Sequence, residues 1–220
     1  MKITGEMNME IIELFGLPGS GKTKNTVNLY NDLTKRGYKC VLIRPNEYEN
    51  LPYLRHTRYI FGLLNPKYVL NVCFFLGSNI CLKNKYFYSG NGIERIKILL
   101  RQIMYLEIYL DKTLDDEVDV LISDQGLVQE LTGIFLEKKT YLNWIIYFTK
   151  KLNKSRNDIK FRMIDSKITS ALANIKLRDR NSSPMDAYDP YKLERYLYAY
   201  SDAFETILKY YKNDSRFGRL

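Results

Sequence analysis

The eight residues Gly16, Leu17, Pro18, Gly19, Ser20, Gly21, Lys22 and Thr23 constrain this chain more than any other stretch. They fit G-x-x-x-x-G-K-[ST]. They follow an apolar run, Ile11-Ile-Glu-Leu-Phe15, that reads as a short buried strand, and Lys24 to Arg36 reads as a helix. A glycine loop between a strand and a helix is the setting in which this pattern binds phosphate. The glycines let successive backbone N–H groups turn toward phosphate oxygens. A helix beginning near Lys22 adds the positive end of its dipole. Lys22 is placed for the β- and γ-phosphates and the Thr23 hydroxyl for Mg²⁺. The implied ligand is a nucleoside triphosphate with Mg²⁺.

Three further apolar runs follow the same rhythm: Lys39 to Arg44, Val118 to Asp124 and Lys160 to Asp165. Continuous rather than alternating runs suit strands buried on both faces, as in a parallel sheet. Intervening helical patterns imply βαβ units with right-handed crossovers. The expected fold class is therefore α/β: a three-layer α/β/α arrangement with a parallel sheet of at least four strands. A chain of 220 residues, 45% hydrophobic, suits one such domain over 1–220. In such sheets ligands bind beyond the carboxyl ends of the strands. Gly16, Arg44, Asp124 and Asp165 all stand there.

Residues 48–93 break the rhythm. They are aromatic and apolar, punctuated by Pro52, Pro66 and Gly90-Asn-Gly92. The plain reading is an enlarged helical pair, with helices over Tyr59–Leu64 and Val69–Leu82, inserted on the acceptor side. The sharper one is an acceptor lobe or a patch that meets a membrane or partner. Residues 94–110 then carry Ile96, Leu99, Leu100, Ile103, Leu106 and Leu110, the spacing of an amphipathic helix.

Asp124 closes a hydrophobic strand far downstream of the glycine loop, the usual place for a Mg²⁺-organising carboxylate. It could serve the metal's water shell or take the acceptor's proton, and equally could cap a helix beginning at Leu127. Asp119, near the start of the same strand, is expected to meet solvent or a helix end. After the fourth strand, Ala171, Leu172, Ile175 and Leu177 give a short helical pattern ending in Arg178 and Arg180. Arginines on a loop beside a phosphate site can clamp a transferring phosphoryl group. The other reading is a solvated basic helix end that complements the helix dipole. A long helix is expected over about Pro190 to Lys212.

No run of 18 apolar residues is present, so no transmembrane span is expected. MKITGEMNME has no apolar core of a secretory signal. Cys40, Cys73 and Cys81 share no metal-ligand spacing and read as reduced thiols, and His56 is the only histidine. The expected location is cytoplasmic. Residues 150–220 hold 16 Lys/Arg against 9 Asp/Glu, most of the net charge of +9. No nucleic-acid-binding motif accompanies that charge, so no specific nucleic acid is expected.

The order of these motifs resembles the thymidylate kinase-like branch of the P-loop nucleoside and nucleotide kinases. Ile12 to Thr23 resembles the family's first strand and phosphate loop, and Val41-Leu-Ile-Arg44-Pro45 its second strand and Arg-acid-Pro element. Leu121-Ile-Ser-Asp124-Gln125 resembles its Asp-Arg element. Phe161 to Arg180 resembles its fourth strand, following helix and lid, and Asp186 the stretch beyond. The resemblance implies ATP–Mg²⁺ as donor and a nucleoside, nucleotide or sugar-like acceptor, with a homodimer as candidate assembly. It implies Lys22, Asp124, Arg178 and Arg180 as catalytic groups, Thr23 and Asp124 at the metal, and a lid at about 176–190. Arg44, Glu47, Arg101 and Gln125 become candidates for the acceptor, although Arg101 equally suits a solvated helix face shared with Lys97. Gln125 stands where the family has Arg, and Glu47 comes later than the family's acid. Asn213 to Leu220 is too short for both the fifth strand and the adenine-contacting loop of the family, so a missing fifth strand is expected. The contrasting function is a regulatory ATPase acting on a protein or membrane partner. Acid followed by Gln rather than Glu, and the lack of an Asn-Lys-x-Asp guanine motif, disfavour motor ATPases and GTPases.

Overall fold

The computed structural model describes residues 10–43, 118–124, 126–137, 139–152, 159–177, 185 and 188–220. Their order is β1 (Glu10–Gly16), α1 (Lys22–Lys35), β2 (Cys40–Ile43), β3 (Val120–Ser123), α2 (Leu127–Phe135), α3 (Tyr141–Leu152), β4 (Ile159–Ile164), α4 (Ile168–Lys176), α5 (Pro190–Tyr210) and β5 (Phe217–Arg219). The sheet formed by these residues has five strands in the order β2-β3-β1-β4-β5, and every pairing is parallel. Ile11 lies level with Leu121 on one side and Ile159 on the other.

This order fixes where a ligand can sit. The chain steps from β1 past β3 to β2, returns to β3, then crosses β1 to reach β4. Right-handed crossovers that run in opposite directions put their helices on opposite faces. Accordingly Ile12 and Leu14 join Val120, Ile122 and Ile164 under Leu29, Tyr30 and Leu33 of α1. Ile11, Phe15, Leu121 and Phe161 face α2, α3, α4 and α5. Because the connections leaving β1 and β3 go to opposite faces, a crevice opens between the carboxyl ends of these adjacent strands.

On the second face both α2 and α5 lie against β1, and α5 is the longer. Leu193, Leu197, Tyr200, Phe204 and Ile207 are buried at successive spacings of four and three, the stripe a core-facing helix needs. Phe204 meets Phe15 with ring centroids 5.3 Å apart. Asp189 caps the helix by accepting from the Lys192 N–H at 2.8 Å, and Pro190 occupies the first helical position.

The expected absence of a fifth strand is overturned. β5 is only three residues long, with glycine in its middle, so it carries no strand pattern. It is held by its neighbours: the Phe217 ring stacks on Phe161 at 4.5 Å and on Tyr211 at 3.9 Å. The Arg162 guanidinium also donates to the Arg216 carbonyl at 2.7 Å. A second correction concerns Leu177, which is 82% exposed just beyond α4. Two residues past Ile175 on a helix is about 200° around the axis, so Leu177 cannot share the stripe of Ala171 and Ile175. Helix α3 was not foreseen; it packs through Trp144, Ile145 and Phe148. Among the described residues no helix is long and apolar enough to cross a membrane. The expected insertion at 48–93, the helix at 94–110 and Asp186 lie outside the described residues.

Candidate active site

The loop expected to bind phosphate leaves β1 at Gly16 and enters α1 at Lys22. Gly19 has φ +82, the left-handed region that side chains resist. A Cβ there would also overlap the Ala171 carbonyl oxygen, so the loop lies against the backbone of α4. Gly21, also left-handed, is the N-cap of α1 and supplies no side chain to its N–H groups. The first turn of α1 contains no acid and two lysines, Lys22 and Lys24. The contrast with α5, capped by Asp189, is chemical: the positive pole of α1 is left for an outside anion.

Lys22 is buried, and its ammonium arches back to donate to the carbonyls of Gly16 and Leu17, both at 2.9 Å. Thr23 donates its hydroxyl proton to Asp124 Oδ2 at 2.8 Å. The buried Thr26 hydroxyl stands 2.7 Å from the Lys22 carbonyl and 3.2 Å from Asp124 Oδ1. Asp124 is thus engaged by α1 and is not the cap of α2; the N-cap there is Gly126. Asp119 keeps part of its surface in solvent, as expected, and its carboxylate accepts from the Lys39 N–H at 2.7 Å just before β2.

These groups fit a hard cation with its phosphates. With its proton given to Asp124, the Thr23 oxygen keeps lone pairs for a metal. Among the described residues no group of three or more His, Cys, Asp or Glu could hold a metal. A hard cation at Thr23 would complete its shell with water and phosphate oxygens, the habit of Mg²⁺. The buried Ser20 Oγ, within the loop, has no hydrogen-bond partner, so the loop retains polar capacity.

Three side chains were missed in the sequence: two support the loop from behind, and one braces the start of α2. Gln129 of α2 accepts from the Gly16 N–H at 3.1 Å, and Asn174 of α4 donates to the Gly19 carbonyl at 2.8 Å. Glu13, in the middle of β1, reaches the start of α2 and accepts from the Val128 N–H at 2.6 Å. Gly126 makes room for it, because a Cβ there would overlap the Glu13 carboxyl. Nothing in the sequence marks these residues: their partners are 113, 155 and 115 positions away.

Burial pushes the Glu13 carboxyl up to about 8; the N–H groups of Val128 and Leu127 oppose the rise, and Glu130 adds to it. The folded protein then keeps a proton that the unfolded chain releases near the ordinary glutamate value. Stabilisation from this group is complete below that value and is lost as pH rises through about 8. The slope is about 1.4 kcal/mol per pH unit. Glu13→Gln should remove it while keeping an acceptor for Val128. Denaturant midpoints of both proteins at about pH 5 and about pH 8 check this; equal slopes would mean that Glu13 is ionised throughout.

Of the expected site residues, the structure brings together Gly16 to Thr23 and Asp124. Arg44, Glu47, Arg101, Gln125, Arg178 and Arg180 lie outside the described residues.

No family model matches the sequence, and no curated protein matches it. Among solved structures, the chain is similar to deoxyadenosine kinase from M. mycoides. With dCMP and a flexible dCDP bound, that protein aligns at 18% identity over 96% of this chain and 89% of that one, with a TM-score of 0.49. With dATP bound, it aligns at 16% identity over 96% and 90%, again with a TM-score of 0.49. The chemistry open to this chain is set by its own residues, Gly16 to Thr23 and Asp124.

Proposed function

We propose that the protein is an ATP- and Mg²⁺-dependent phosphotransferase acting on a small acceptor of the nucleoside, nucleotide or sugar class. The observation that carries this is the 2.8 Å bond from Thr23 to Asp124 beside the uncapped start of α1. It places a hydroxyl oxygen, an oriented carboxylate and the positive pole of a helix at one crevice. That donor set suits a metal–triphosphate.

Each group then has work to do. The loop N–H groups receive phosphate oxygens, and the ammonium of Lys22 turns from the Gly16 and Leu17 carbonyls toward the transferring group. Thr23 offers its oxygen to the metal while Asp124 fixes its direction. Mg²⁺, when bound, neutralises charge developing between the β- and γ-phosphates. Arg178 and Arg180, which follow α4 in the sequence, would clamp the transferring phosphoryl group from the lid at about 176–190. Arg44, Glu47, Arg101 and Gln125 are the acceptor-side candidates, with the insertion at about 48–93 completing a single domain.

The test is ADP formation from Mg–ATP against a panel of nucleosides, nucleoside monophosphates and sugars. Turnover should appear only with one class of acceptor present. Hydrolysis at full rate with no acceptor would overturn the proposal in favour of an ATPase.

A further inference from the structure

The phosphate loop is tied to its surroundings by backbone, and one of those ties comes from a side chain that the core does not need. We infer that Asn174 is a positioning residue: a neutral tether on α4 that holds the Gly19 carbonyl and thereby sets the shape of the loop that receives phosphate. This role rests on the donor site proposed above.

The geometry points one way. At φ +82, Gly19 turns its carbonyl toward α4, where Asn174 Nδ2 meets it at 2.8 Å. Only the NH₂ end of the amide can face a carbonyl, so the orientation of the side chain is fixed. A peptide unit is rigid. Pinning the Gly19 carbonyl therefore also fixes the Ser20 N–H on the other side of the same plane. That N–H donates to the Leu17 carbonyl at 2.9 Å and closes the turn. Leu17 and Gly16 are in turn the residues whose carbonyls receive Lys22. One amide on α4 thus governs a turn on which the lysine rests. Gln129, on α2, grips the other end of the loop at the Gly16 N–H. Both grips are uncharged, so neither competes with Lys22 or the helix pole for a phosphate.

Asn174 is also separable from the fold. It lies on the exposed side of α4, whereas Ala171 and Ile175 carry that helix's packing. Removing its amide leaves the contact of Gly19 with Ala171 in place and deletes the tether alone.

Asn174→Ala and the isosteric Asn174→Asp are compared with the parent by three measurements: the melting temperature of the ligand-free protein, hydrogen exchange of the Ser20 amide without nucleotide, and Mg–ATP affinity by calorimetry. Asn174→Ala should leave the melting temperature unchanged, speed exchange at Ser20 and weaken Mg–ATP binding roughly three- to tenfold. Asn174→Asp, which sets a carboxylate against a carbonyl and near phosphate, should act in the same direction and more strongly. Unchanged Ser20 exchange in both variants would overturn the tether. Faster exchange with unchanged Mg–ATP affinity would overturn its role in positioning. If the parent binds no Mg–ATP and Lys22→Ala makes no difference, the donor reading falls, and the exchange result still decides the tether.

Discussion

Replacing Lys22 with alanine should lower phosphoryl transfer by on the order of 10²–10³-fold or more while leaving the protein folded. The ammonium is held at the mouth of the loop by two carbonyls, at 2.9 Å each, on a buried side chain. It therefore already lies at the loop and out of water, and needs only to turn from those carbonyls to meet the charge of the transition state. A preorganised donor costs no rearrangement of solvent at the moment of reaction, which is why its loss falls on turnover. Stability falls as well, because two charge-assisted bonds are lost, at about 1.5–3 kcal/mol each. Against this, a cation is removed from the first turn of α1, where the helix dipole opposes it. The measurement is turnover at saturating ATP and acceptor beside a melting curve. A folded variant retaining more than about a tenth of parental turnover would remove Lys22 from the chemistry.

Gly19→Ala should destabilise the fold by about 2–5 kcal/mol and abolish nucleotide binding. Two costs add. A side chain in the left-handed region costs about 1–2 kcal/mol. The new Cβ overlaps the Ala171 carbonyl and stands 2.9 Å from Ile175 Cγ1, an overpacking cost of about 1–3 kcal/mol because a helix backbone must move. Gly37 provides the control. Its φ is +91, yet nothing stands within 4 Å of a Cβ there, so Gly37→Ala bears the first cost alone. Denaturant midpoints of the two variants separate the clash from the conformational penalty. Equal midpoints would mean that the loop is not pressed on α4. Mg–ATP affinity should fall only in the Gly19 variant.

Much of this site was legible because its chemistry is local. Gly16 to Thr23 is a contiguous loop whose shape depends on where glycines stand, and a buried strand ending in Asp124 is recognisable by composition. The long helix from about Pro190 was legible for the same reason, although its cap, Asp189, was not singled out. The unforeseen parts depend on groups brought together by topology. Asp124 was identified, but its bond to Thr23 required β3 to lie beside β1, and the sequence does not order the strands. Gln129, Asn174 and Glu13 look like ordinary helix and strand residues until their distant partners are known. β5 was missed because Phe217-Gly-Arg219 gains its place from the rings of Phe161 and Tyr211 rather than from strand propensity. Leu177 was misplaced by counting apolar residues without their angle around the helix.

The central position of β1 also bears on how the protein is made. Its neighbours in the sheet begin at Val120 and Ile159, so the strand with the Gly16–Thr23 loop at its tip waits for partners roughly 110 and 150 residues further along. At ribosomal speeds that is on the order of ten seconds during which Ile11, Ile12, Leu14 and Phe15 have no sheet to join. Long-range parallel pairing is intrinsically slow, since the entropy of closing such loops is lost before any contact repays it. Newly made chains should therefore depend on chaperones that shield this one apolar segment, and aggregation during expression should be relieved by slower synthesis more than by a stabilised helix surface.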